Sequence, residues 1–202
     1  MEVFVKNKKL ALDYFKNNYG ILKTSEILSA GIYNRTLYKL RDEGIIEQVA
    51  YGRYKLASSE VAENISYAEI GSQTKGVFCL TSALSFHQIG TEFPIKHYIA
   101  LAQNSYKPKI KEYSIEYVYV KNKFLNLGIE EHIISGINIK VYSASRTVVD
   151  CFKNRNKIGI DIAIEALQKS LNENKASIKE IFEIAIKLRM KNIIMPYMEG
   201  LI

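Results

Sequence analysis

The sequence predicts an α+β fold in two regions, and three observations carry that expectation. Residues 1–57 read as three short helices followed by a two-stranded hairpin, punctuated by Gly31, Gly44 and Gly52. Residues 58–202 mix helical periodicity with about five short strand-like runs and close in helices, a mixed α/β pattern. The 202 residues are 48% hydrophobic and 24% charged, a globular composition with enough apolar material for packed cores.

In the first region, Leu10, Leu12, Tyr14, Phe15 and Tyr19 fit an amphipathic helix that Gly20 can end. Thr24 is placed to cap a second helix with Ile27 and Leu28 facing inward, and Gly31 breaks it sharply. Asn34 is placed to cap a third helix, in which Leu37 and Leu40 are three apart and Gly44 marks the stop. "IIEQVAYGRYKLA" alternates and turns at Gly52, so it reads as a hairpin over Ile46 to Leu56.

Helix, helix, glycine-containing turn, helix, hairpin is the order of a winged helix-turn-helix, a unit that puts its last helix into a DNA major groove. On that reading Tyr33, Asn34, Arg35, Thr36 and Lys39 occupy the groove-facing part of the third helix. Thr24, Tyr51 and Arg53 supply flanking contacts from the second helix and the hairpin tip. Arg53 is the sole charged residue at that tip.

The segment "ASSE" at 57–60 is the one candidate linker, which divides the chain into 1–57 and 58–202. A helix is expected from Ser59 towards Gly76, with Ser66 and Glu69 as a capping box if it is interrupted there. "GVFCL" then reads as a strand, "TSALSFHQIG" as a helix ended by Gly90, and "HYIALA" and "SIEYVYV" as strands. "IEEHIISGINIKVY" is a hairpin turning at Ser135 and Gly136, and "SASRTVVDCF" starts a helix at Ser143 or Ser145. Of the closing helices, one starts at Asp161 and another carries a Ser177–Glu180 capping box ahead of Ile181, Ile184 and Leu188.

The net charge of +7 is concentrated at the two ends. Residues 1–57 hold ten Lys and Arg against six Asp and Glu, 58–150 hold nine of each, and 151–202 hold nine against six. Basic ends favour polyanionic partners, nucleic acid first and anionic membrane second, although a modest excess of lysine is often only a solubility device. "NSYKPKIKEY" adds Lys107, Lys109 and Lys111 with Tyr106 and Tyr113, an arrangement that can follow a phosphate backbone or stand as a solvated, lysine-protected edge.

Signatures of catalysis are missing: no GxxxxGK[ST], GxGxxG, HExxH or GxSxG occurs. Asp is scarce, at positions 13, 42, 150 and 161, and "GSQTK" at 71–75 has no DxD after it, so clustered carboxylates for two metals are lacking. His87, His97 and His132 share no metal-ligand spacing, and Cys79 and Cys151 form no CxxC pattern, so each reads as structural. Arg146 and Asp150, four apart on one helix, read as an ion pair. The expectation is therefore a chain with no catalytic residues, no metal and no cofactor. No apolar run of membrane-spanning length and no signal-like start is present, so a cytoplasmic protein without a membrane partner is expected.

Taken together, these segments resemble the abortive-infection AbiE antitoxin family of bacteria. "GIYNRTLYKLRDEGIIEQVAYGRYKL" is similar to that family's turn, recognition helix and wing. "LTSALSFHQIG", "HYIALA" and the Ser-x-x-Arg-Thr-x-x-Asp pattern in "VYSASRTVVDCF" are similar to its second domain. The resemblance implies an autorepressor that binds repeated sites in its own promoter as double-stranded DNA. It also implies an antitoxin opposing a nucleotidyltransferase-like toxin, with direct contact left open. The alternative is a winged-helix regulator with no toxin partner, whose second domain binds a ligand or protein; an enzyme that uses the winged helix only for docking is a third reading.

Overall fold

The computed structural model describes residues 2–18, 21–57, 65–90 and 96–200. Among them it forms a mixed α+β structure with eleven helices and two sheets, of three and five strands. The chain divides into two compact units, Met1–Thr74 with His132–Ile139, and Lys75–Glu131 with Lys140–Ile202. The expected stop at Gly20, and the linker and helix start at 58–60, lie outside the described residues.

The first unit runs α1 (Glu2–Asn17), β1 (Leu22–Lys23), α2 (Thr24–Ser29), α3 (Asn34–Asp42), β2 (Ile46–Ala50), β3 (Arg53–Leu56) and α4 (Ile65–Gln73). Helix α1 is amphipathic as expected, but its inward row is Asn7, Ala11 and Phe15, four residues apart, while Leu10 is 44% exposed. Ile27, Leu37 and Leu40 are fully buried and join Phe15, Ile46 and Tyr54 in one core; Leu28, expected inward, points out. The hairpin forms over the expected residues. An unforeseen third strand, β1, pairs antiparallel with β3 (Leu22 opposite Tyr54, Lys23 opposite Arg53), giving the order β1-β3-β2.

Helix α4 also belongs to this unit, so the seam expected at 57/58 falls inside it. Ser66 lies within α4 instead of capping it. The Glu69 carboxylate accepts a hydrogen bond from Lys55 Nζ of β3 at 2.8 Å, and Glu69 is 9% exposed. That interaction ties helix to hairpin. Burial by itself would lower the Lys55 pKa, but the bond and charge of Glu69 outweigh it and hold the ammonium above its ordinary value.

The second unit contains β4 (Val77–Phe78), α5 (Leu80–Phe86), β5 (His97–Ala102), β6 (Ile115–Val120) and α6 (Asn122–Leu125). After them come β7 (Ile129–Ile134) and β8 (Ile137–Tyr142), whose connecting tip clusters with the first unit. The five-stranded order is β6-β5-β4-β8-β7, with β5/β6 and β4/β8 parallel and β4/β5 antiparallel. Helices α7 (Ala144–Lys153), α8 (Arg155–Ile158), α9 (Ile160–Asn172), α10 (Ile178–Lys187) and α11 (Lys191–Glu199) complete it.

Helix α7 is the hub: Ala144 to Phe152 are all buried, with α5, α9, α10 and α11 packed around it. Ser143 caps it, its Oγ accepting from the Arg146 N–H at 3.3 Å. The Ser177–Glu180 capping box forms ahead of α10, with both reciprocal bonds present. Helix α5 stops at Phe86, short of the expected Gly90, and α9 begins at Ile160 behind Gly159. The short α6 and α8 carry too few residues to show a periodic pattern.

Candidate nucleic-acid interface

The α2–α3 turn is built by local backbone bonds and by one long-range side chain. Past α2, Gly31 takes φ +82°, a conformation glycine adopts without penalty, and its N–H donates to Leu28 O at 3.0 Å while Ile32 N–H donates to Ile27 O at 3.3 Å. Asn7, 7% exposed on α1, reaches across: Nδ2 donates to Gly31 O at 2.8 Å and Oδ1 accepts from Tyr33 N–H at 3.0 Å. The start of α3 is thereby fixed from both sides. Tyr33, not Asn34, occupies the cap position, and its side chain makes no capping hydrogen bond.

Helix α3 is two-sided. Leu37 and Leu40 are fully buried, whereas Tyr33 (59% exposed), Asn34, Arg35, Tyr38 (47%), Lys39 and Arg41 face solvent. Thr36 corrects the sequence reading. It is 2% exposed and lies on the inward side beside Leu37, so its hydroxyl cannot reach a ligand in front of the helix.

At the hairpin tip Tyr51 is 99% exposed, and Arg53 is half-buried in β3 opposite Lys23. Thr24 begins α2 instead of capping it; its N–H donates to Gly52 O at 2.8 Å, which fastens the tip to the helix. Between α3 and the hairpin opens a groove of about 510 Å³ lined by Thr24, Tyr38, Arg41, Gln48, Tyr51, Gly52 and Tyr54. Its donors are mostly neutral: three tyrosines, a threonine and an amide. Burial pushes the Tyr54 hydroxyl up, so it stays protonated as a donor, while Arg41 is already held by Asp42 at 2.8 Å and stacks 5.3 Å from the Tyr38 ring centre.

The structure thus leaves Tyr33, Asn34, Arg35 and Lys39 exposed at and around the start of α3, and places Thr24 and Tyr51 in the adjoining groove. Tyr38, Arg41 and Gln48 join them and were not anticipated. Helical spacing from Arg35 already places positions 38 and 41 on the outward side. Lys107, Lys109 and Lys111 belong to the second unit, where all three are exposed.

The other chemistry-bearing residues are engaged structurally. Cys79 and Cys151 are buried, and burial pushes both thiols up, away from the reactive thiolate. His87 Nε2 lies 2.8 Å from Tyr142 O. His97 packs edge-on against Phe78 and Tyr113, and burial lowers its pKa. Among the described residues no group of three or more His, Cys, Asp or Glu could hold a metal ion, and no helix is long and apolar enough to cross a membrane. The chain matches no protein-family model and no curated protein.

Proposed function

We propose that the chain is a sequence-specific regulator of double-stranded DNA, its first unit a winged helix-turn-helix with α3 as recognition helix and the β2–β3 hairpin as wing. The observation that carries the reading is the division of α3. One side is locked into the core by Leu37 and Leu40, and the other offers Tyr33, Asn34, Arg35 and Lys39 to solvent. A nine-residue helix held so firmly and decorated on its outer side with base-reading and phosphate-binding side chains suits a major groove. The resemblance of both regions to AbiE antitoxins extends the proposal: the chain represses its own promoter and opposes a nucleotidyltransferase-like toxin.

Titrating the full chain against duplex DNA from upstream of its own gene, and against a scrambled duplex, tests the DNA reading. Tighter binding to the former is expected, with a log-log salt slope near −0.9 for each phosphate neutralised. Equal affinities, or isotherms that stay flat as salt rises, overturn it. Co-expression with the neighbouring gene's product tests the antitoxin part: growth arrest relieved by this chain supports it, and unrelieved arrest removes it.

A further inference from the structure

We propose that the outer edge of the second unit, formed by β6 and the connection that precedes it, is a stacking platform for single-stranded nucleic acid. Residues 103–123 contain four tyrosines and five lysines against two glutamates. One of those glutamates, Glu116, is engaged by Lys157 at 2.7 Å and Lys96 at 3.6 Å, so its charge is already matched.

The connection is anchored over the strand. Tyr117 OH donates to Pro108 O at 2.9 Å, and the Lys107 ammonium lies 5.4 Å from the centre of the Tyr117 ring. Tyr117 therefore serves as a post that holds the lysine-bearing segment. Tyr119 is two residues further along β6, about 6.6 Å away and on the same side of the strand. The shift of Tyr117 fits that placement: burial first, and then the nearby Tyr119, push its hydroxyl up.

Tyr119 is 51% exposed and Tyr106 is 78% exposed, and Lys107, Lys109 and Lys111 are all exposed. Exposed rings and exposed lysines carried by one edge strand and the connection fastened to it match a single strand better than a duplex, because only unpaired bases offer their faces for stacking. The lysines follow the phosphates and the rings take the bases. This chemistry differs from that of α3, whose side chains address base edges within a duplex.

The test uses the full chain and fluorescent oligothymidylate and oligouridylate of about 15 nucleotides, a length on the scale of single-strand sites. Binding of either supports the proposal, and the ratio between the two distinguishes DNA from RNA. Tyr106→Ala and Tyr119→Ala should each weaken binding about tenfold, and Tyr106→Phe and Tyr119→Phe should retain it. Arg35→Ala should leave it unchanged. Absence of binding to both oligonucleotides, alanine variants that bind as tightly as the parent, loss on Arg35→Ala, or equal displacement by polyglutamate would each overturn the proposal. Failure of the duplex titration leaves this result standing, since the variants that report on the platform lie in the second unit.

Discussion

Arg146 donates through Nε to Asp150 Oδ2 at 2.8 Å, one turn further along α7, with both side chains withdrawn from water. Sequence spacing suggested an ordinary ion pair worth a few tenths of a kcal/mol at a surface. Here the arginine is fully buried and does more than pair: Nη1 donates to Phe124 O at 3.0 Å and Leu127 O at 2.9 Å, and the guanidinium lies 4.4 Å from the centre of the Tyr142 ring. Gly128 permits this closeness, since a Cβ there would come 2.8 Å from Arg146 Cβ. Burial pushes the Asp150 carboxyl up, and the Arg146 charge and hydrogen bond pull against it.

Breaking this pair from either side should therefore be costly. Asp150→Asn leaves a buried cation and Arg146→Met a buried carboxylate, each expected to destabilise by about 3–5 kcal/mol. Replacing both with apolar residues is often neutral for buried pairs, but here it strands the Phe124 and Leu127 carbonyls. The double variant Arg146→Met/Asp150→Leu should still lose about 2 kcal/mol. Urea unfolding of the three variants checks this; a double variant as stable as the parent would show that the two carbonyls find other donors.

Asn7 should matter to the α3 surface without being part of it. Asn7→Ala orphans the Gly31 carbonyl and the Tyr33 N–H, at a cost of about 2 kcal/mol, and releases the start of α3. On the proposed reading duplex affinity should fall even though no exposed side chain of α3 has changed. Amide exchange at Tyr33 provides the check: protection equal to that of the parent would mean that the turn is held without Asn7.

The Ser177–Glu180 box makes stability depend on pH in a defined direction. Hydrogen bonds from Ser145 first, and then Ser177, hold the Glu180 carboxyl below its ordinary value of 4.5. The folded state thus favours the ionised form. Its contribution is complete above that ordinary value and disappears as pH falls through the lower folded one. Glu180→Gln should destabilise at pH 7 and become nearly neutral at pH values below the folded titration. Thermal melts across that range decide it, and a destabilisation that does not change with pH would remove the carboxylate's charge from the account. Ser177→Ala, which deletes the other half of the box, should cost about 1 kcal/mol.

Features governed by neighbours in sequence were legible beforehand. The cap at Ser177, the hairpin turning at Gly52, and the Leu37–Leu40 inward pair each have a local signature, and the start of α7 was narrowed to Ser143 or Ser145, of which Ser143 is the cap. Features governed by distant partners were not. No local pattern marks Asn7 for burial, since its partners are Gly31 and Tyr33, and it lies in one inward row with Ala11 and Phe15. Two residues of β1 are too few to alternate, and α4 joins the hairpin through Lys55–Glu69, a relation that no local pattern encodes. At the candidate site the outward side of α3 was foreseen, but the inward turn of Thr36 and the groove holding Tyr38, Arg41 and Gln48 depend on how helix and hairpin meet.

The sharpest test of the DNA reading compares Arg35→Ala with Lys109→Ala on duplex DNA. Arg35 stands exposed in the first turn of α3, where a guanidinium can offer two hydrogen bonds to the O6 and N7 atoms of a guanine, a contact worth roughly 1–3 kcal/mol of discrimination. Its removal should weaken the operator more than scrambled duplex, lowering the ratio of affinities. Lys109 is exposed in the second unit, and an ammonium can offer a phosphate only a point charge. If it contacts the duplex, Lys109→Ala should weaken both DNAs equally and reduce the salt slope by about one unit. Titrations of both variants at two salt concentrations separate base reading from charge. An operator-to-scrambled ratio that Arg35→Ala leaves unchanged would assign Arg35 to phosphate and move recognition to Asn34 and Tyr38 on the same outward side of the helix.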